Sequence, residues 1–137
     1  MPRSLRVLDS APAIGLSIGE LSRELGVTVR ALRHYEDAGI LKPRRIKGGR
    51  VYDAGQRRKA QAVVVFRELG MSVPAIREIL NEAGSGVERR RAIGAFCRRR
   101  LVEVERLATD IRRALDQLEN PSHRSGSLIA VVLDHDT

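Results

Sequence analysis

The sequence predicts a mostly α fold: short helices interrupted by a small β-hairpin, then one long helix. Three observations carry this. Aromatic residues are only 3% of the 137 residues and Trp is absent, so the apolar 42% is chiefly Leu, Val, Ile and Ala, a mix suited to helices rather than a β-sandwich. Apolar residues recur at helical spacing between residues 17 and 82, except in a Gly-containing basic stretch around residues 42–59. From Val87 to Glu119 no proline breaks the chain, and apolar residues alternate three and four apart.

Composition narrows the function. The formal net charge of +8 points to a polyanionic partner, either nucleic acid or an anionic membrane face. The single cysteine, Cys97, excludes an internal disulfide framework and a Cys-cluster zinc site, which fits a reducing cytoplasm. The start, "MPRSLRVLDSAPAIGLS", lacks the apolar core of a signal peptide. No run approaches the roughly 18 apolar residues that span a bilayer. A cytoplasmic protein with no membrane partner is expected.

Residues 1–15 mix Pro, Ser and Gly and read as a flexible arm. Ser17 then sits three residues before Glu20, a capping-box spacing, and Ile18, Leu21 and Leu25 share one helical face that ends at Gly26. Thr28 caps the next helix, with Ala31, Leu32 and Tyr35 inward and Gly39 as its stop. Two short helices joined by a tight glycine turn outline a helix-turn-helix. In "IKGGRVY", two extended arms flank Gly48-Gly49, a hairpin straight after the helix pair and hence a wing. Between Lys42 and Lys59 stand eight basic residues and one acid, Asp53. Asp53 caps a third helix carrying Ala60, Val63, Val64, Phe66 and Leu69 to Gly70. Ser72 caps a fourth, with Pro74 in its first turn and Ala75, Ile76, Ile79 and Leu80 inward. Gly84-Ser85-Gly86 marks a joint. Beyond it, Leu101, Val104, Ala108, Ile111, Leu115 and Leu118 form an a/d seam that a small domain cannot bury and that pairing with a second copy would. The tail carries a short apolar run, "LIAVVL", read as a strand or a segment folding back on the coil.

The polar residues of the second helix, Thr28, Val29, Arg30, Arg33 and His34, occupy its N-terminal and outward positions. A helix presented this way brings side chains to base edges, and arginine can bond two guanine acceptors at once. Lys42, Arg44, Arg45, Lys47 and Arg50 crowd the hairpin, where concentrated charge attracts the phosphate backbone. No phosphate loop, nucleophile motif or His/carboxylate pair suggests an enzyme. His123 and His135 lack the companions of a metal site, and neither metal nor cofactor is expected.

The segments "IGELS", "GVTVRALRHYEDAGIL", "GRVYD" and "RELGMSVPAIREIL", spread over residues 17–82, resemble the DNA-binding domain of the MerR family of bacterial transcription regulators. The resemblance implies a winged helix-turn-helix homodimer joined by an antiparallel coiled coil. It also implies binding at promoters, with RNA polymerase as a partner reached through the promoter, and bending and undertwisting of an operator whose spacer is too long. Thr28 and Arg30 then correspond to base-proximal positions. Arg33, His34 and Tyr35 match the family's arginine and aromatic pair, and Arg50 and Tyr52 its wing Arg-x-Tyr. Ser17, Arg44, Arg45 and Lys47 complete the DNA-contacting set. Two positions depart from the pattern: His34 stands where many members have tyrosine, and Gly49 where many have tyrosine before the wing arginine. Metal-sensing relatives are similar in carrying cysteines near the ends of the dimer helix. Cys97 stands alone at a seam position and reads as a small core residue.

The expected layout is an arm over 1–15, a winged helix-turn-helix domain over 16–84, a dimerisation helix over 87–120 and a tail over 121–137. The alternative reading is an architectural winged-helix DNA binder, similar to the excisionases, with no effector. A coiled-coil adaptor using its basic surface on a protein partner is a weaker third.

Overall fold

The computed structural model describes residues 15–82 and 84–120. Its elements are β1 (Leu16–Ser17), α1 (Ile18–Leu25), α2 (Val29–Asp37), β2 (Arg44–Ile46), β3 (Gly49–Tyr52), α3 (Ala54–Glu68), α4 (Val73–Arg77) running into a π-helical turn at Glu78–Glu82, and α5 (Gly86–Glu119). The arm before Gly15 and the "LIAVVL" tail lie outside the described residues. The fold is mostly helical, with a helix-turn-helix, a wing and a long final helix, as the sequence predicts.

Local chemistry sets each helix start. The Ser17 hydroxyl accepts from the Glu20 N–H at 3.2 Å and the Glu20 carboxylate accepts from the Ser17 N–H at 3.3 Å, a reciprocal capping box. α1 stops at Gly26, whose φ of 67° is left-handed. The turn is then closed by Ser22, whose hydroxyl donates to the Val27 carbonyl at 2.6 Å. Thr28 Oγ1, Asp53 Oδ1 and Ser72 Oγ cap α2, α3 and α4 by accepting from Ala31, Gln56 and Ala75. Ser85 and Glu88 form a second capping box at α5 (3.1 and 2.7 Å).

The sheet has three antiparallel strands in the order β1-β3-β2. β1 is absent from the sequence reading, because a two-residue strand shows no period. It pairs Leu16 with Tyr52 and Ser17 with Val51. Gly15 makes the approach feasible: its φ is 111°, and a Cβ there would lie 2.4 Å from the Tyr52 carbonyl oxygen. The hairpin turn also differs by one residue. Ile46 pairs with Gly49, so the tip is Lys47-Gly48, both with positive φ (50° and 79°), rather than Gly48-Gly49. The base follows the same register. Counting outward, Lys42 falls opposite Asp53, and its N–H donates at 2.7 Å to Gln56 in the turn that Asp53 caps.

The chain divides into a first unit ending at Phe96 and a second beginning at Cys97. The division falls inside α5 rather than at the Gly84–Gly86 joint, because Ile93 and Phe96 pack on the core of the first unit. That core is built from Leu21, Leu32, Ile40, Leu41, Tyr52, Val63, Met71 and Ile76, each less than 2% exposed. Burying each such side chain contributes roughly 1.5–3 kcal/mol. Leu69, expected inward on α3, instead sits at its C-cap and is 41% exposed. The buried stripe of α3 is Arg57, Ala60, Val63 and Val64. In the second unit no residue of α5 is buried, and Leu101, Val104, Ile111, Leu115 and Leu118 face solvent while Ala108 is half-buried.

Candidate nucleic-acid interface

α2 presents its polar side as the sequence predicts and hides the rest. Arg30, Arg33 and His34 are exposed, and Val29 is half-buried. Thr28 is exposed, though one acceptor site of its hydroxyl is committed to the cap. His34 lines a groove of about 350 Å³ together with Ala38, Val73, Pro74, Arg77, Glu78 and Glu82. Tyr35 is only 7% exposed, and its ring packs in the core. Its ring is tilted at 47° to His34, with centroids 6.1 Å apart. Its backbone carbonyl accepts from Ile40 and Leu41 and anchors the exit from α2.

On the wing, Arg44, Arg45 and Lys47 are exposed. Among the described residues none of these three, nor Arg30 or Arg33, enters an ion pair. Exposed guanidinium and ammonium groups without such a partner are available to an anion. Ser17 is exposed, but its hydroxyl already accepts in the α1 capping box.

Tyr52 is a correction. It is fully buried, so it cannot meet a duplex. Its hydroxyl donates to Glu36 Oε1, and the other oxygen, Oε2, accepts from Arg50 Nε at 2.8 Å. Burial, with the adjoining Glu36 carboxylate, pushes the phenol well above its ordinary pKa, and Arg50 and Arg33 pull weakly the other way. Arg33 and Arg50 therefore act on one buried phenol from two elements, α2 and β3. The Glu36 junction between those elements is a structural feature that sequence reading missed. The "HYED" run named the residue, but its partners lie 14 and 16 positions away. Arg57, counted among the wing-region cations, is also withdrawn from the surface: it is 4% exposed and paired with Glu24.

Cys97 is a half-buried free thiol. Among the described residues no group of three His, Cys, Asp or Glu is placed to hold a metal ion. No described helix is long and apolar enough to cross a membrane. His123 and His135 lie outside the described residues.

A helix pair with an exposed cationic second helix, tied to a cationic wing, defines a winged helix-turn-helix module of the DNA-binding kind. A family model described as "MerR HTH family regulatory protein" matches residues 16–83, and one described as "MerR, DNA binding" matches residues 57–120. The HTH-type transcriptional regulator HmrR of Rhizobium leguminosarum bv. viciae is 30% identical over 112 residues, 79% of this chain and 87% of that protein. The chain belongs to the MerR family of regulatory proteins. It is also 34% identical over 122 residues to nodulation protein NolA of Bradyrhizobium elkanii, covering 85% of this chain. The chain spans about half the length of that relative (50%). A MerR-family transcriptional regulator of known structure from Bacillus cereus superposes with a TM-score of 0.65 at 26% identity, over 88% of this chain and 92% of that one.

Proposed function

We propose that this chain is a transcriptional regulator and not an enzyme: a cytoplasmic homodimer that binds promoter operator DNA and bends and undertwists it. RNA polymerase is reached through the realigned promoter. The observation that carries this is the set of exposed cations on α2 and the wing that have no ion-pair partner among the described residues: Arg30, Arg33, Arg44, Arg45 and Lys47. Arg30, with Thr28 and Val29 beside it at the start of α2, reads base edges. Arg33 and His34 lie further along the same helix. Arg44, Arg45 and Lys47 hold the flanking phosphates and set the orientation of the module.

The solvent-facing stripe of α5 supports the dimer. Five apolar side chains of that seam stand 44–58% exposed in the single chain. A second copy is the simplest cover for a stripe of that length. Charge favours an antiparallel pairing, because residues 98–106 of α5 carry four arginines against two glutamates, while residues 107–119 carry three acids against two arginines. On this reading the DNA-binding domain ends before Ser85 and the dimerisation helix takes over to Glu119.

Fluorescence anisotropy against a fragment from upstream of the chain's own gene, with a scrambled fragment beside it, tests the proposal over a salt series. Tight, salt-dependent binding to the native fragment is expected. A footprint should then show altered reactivity at the operator centre. Equal binding to both fragments would replace this reading with that of an architectural binder.

A further inference from the structure

In the register of the wing, Arg45 lies directly opposite Arg50. Like charges facing each other across two strands destabilise a hairpin unless something neutralises one of them. Glu36 does so, and the geometry of the contact matters. It takes Arg50 through Nε, at 2.8 Å from Oε2, and spends its other oxygen on the Tyr52 hydroxyl. The carboxylate is only 12% exposed, so water competes weakly for it. The guanidinium fork is thus held by its inner nitrogen. Its two terminal nitrogens donate to no further ion-pair partner among the described residues, and the Arg50 side chain remains 25% exposed.

We infer that Glu36 is a positioning residue: it orients Arg50 so that the outer edge of the guanidinium binds a DNA phosphate at the junction of α2 and the wing. This rests on the DNA-binding reading above. A guanidinium can serve two anions at once, one through Nε and one through its terminal nitrogens, whereas an ammonium is a single point charge. Glu36 also makes wing and recognition helix one body, since the carboxylate grows from α2 and both its partners from β3. A phosphate at this place completes the neutralisation of the Arg45–Arg50 pair, which Glu36 alone leaves one charge short.

The test compares wild type, Glu36→Gln, Arg50→Ala, the double variant and Arg50→Lys. It uses anisotropy on the native upstream fragment over a salt series, with melting by circular dichroism alongside. Glu36→Gln is nearly isosteric and keeps an acceptor for Tyr52. It is expected to weaken binding by about three- to tenfold, an effect that vanishes when Arg50 is already alanine. Arg50→Lys should lose nearly as much as Arg50→Ala and flatten the salt slope by about one unit, because an ammonium drawn to Glu36 has no second edge to offer. A Glu36→Gln loss that simply adds to that of Arg50→Ala, or a lower melting temperature with unchanged affinity, overturns the inference and leaves Glu36 a structural tie. If Glu36→Gln fails to fold, Arg50→Lys decides: wild-type affinity in that variant overturns it. Wild type that binds neither fragment sinks the DNA reading and this inference with it, an outcome visible before any variant is made.

Discussion

Arg57 on α3 closes side-on upon Glu24 on α1, with Nη2 2.5 Å from Oε1 and Nε 3.3 Å from Oε2. The guanidinium is almost wholly withdrawn from water, and the carboxylate side chain is 25% exposed. The pair bolts the first helix of the reading unit to the helix that follows the wing. Removing one partner strands a buried charge. Glu24→Ala should therefore destabilise the chain by about 1–3 kcal/mol, below the cost at a fully dry pair because water can reach the vacated side. Urea unfolding measures it. Replacing both residues, Glu24→Leu with Arg57→Met, should recover most of the loss. A double variant no more stable than Glu24→Ala would argue that the pair is not the source.

The capping box of α1 carries a pH signature. Hydrogen bonds from the Ser17 hydroxyl, and then from its backbone N–H, hold the Glu20 carboxyl below its ordinary value of 4.5. A carboxylate whose pKa is lowered on folding stabilises above the unfolded value, and that contribution is lost as pH falls through the folded one. Ser17→Ala should cost about 1 kcal/mol near neutral pH, the usual worth of an N-cap. The gap between variant and wild type should then narrow below pH 4.5. Thermal melts at neutral pH and at several acidic values check both parts. A gap that widens on acidification would contradict the assignment.

The same residues show where sequence reading reaches and where it stops. Caps, glycine stops and the 3.6-residue period are local, so α1 to α4 and the seam of α5 were legible. Even Ser85-x-x-Glu88 was open to the capping-box reading, although the glycines around it read as a joint. What failed was long-range or too short to have a period. Leu16–Ser17 became a strand only because Tyr52 and Val51 came back to meet it. Arg57 sits on the stripe of Ala60 and Val63, yet its partner is 33 positions away, so its charge argued for the surface. Tyr35 and Tyr52 fitted a family pattern of DNA-contacting positions, but their rings fill the core. The exposed cations on α2 and the wing were legible because a dense basic run with one acid cannot neutralise itself locally.

Helix and wing should fail differently. Arg30→Ala should erode sequence preference, with about 1–3 kcal/mol of discrimination at stake for a bidentate contact to a base. Arg45→Ala should weaken binding to all DNA alike and flatten the salt slope by about one unit. Anisotropy on native and scrambled fragments over a salt series separates the two. If both variants lose affinity in parallel on both fragments, the division of roles between α2 and the wing is wrong.

The proposed dimer rests on the α5 seam. Leu101, Val104, Ile111, Leu115 and Leu118 recur on one stripe and are half exposed in the single chain, Ile111 at 52%. Stripes of this size on soluble proteins are normally covered. Pairing through them would dry Ile111, so an aspartate there would have to be buried uncharged or unpaired, at a cost of several kcal/mol. Ile111→Asp should therefore yield monomers in sedimentation equilibrium, and operator binding should fall with the loss of the second reading unit. Thr109→Asp is the control. It adds the same charge two residues away, at an exposed position off the stripe whose hydroxyl donates to the Glu105 carbonyl within its own helix. It should stay dimeric. An Ile111→Asp chain that remains dimeric would move the interface off this seam, and one in which both variants dissociate would point to helix charge, not seam packing, as the cause.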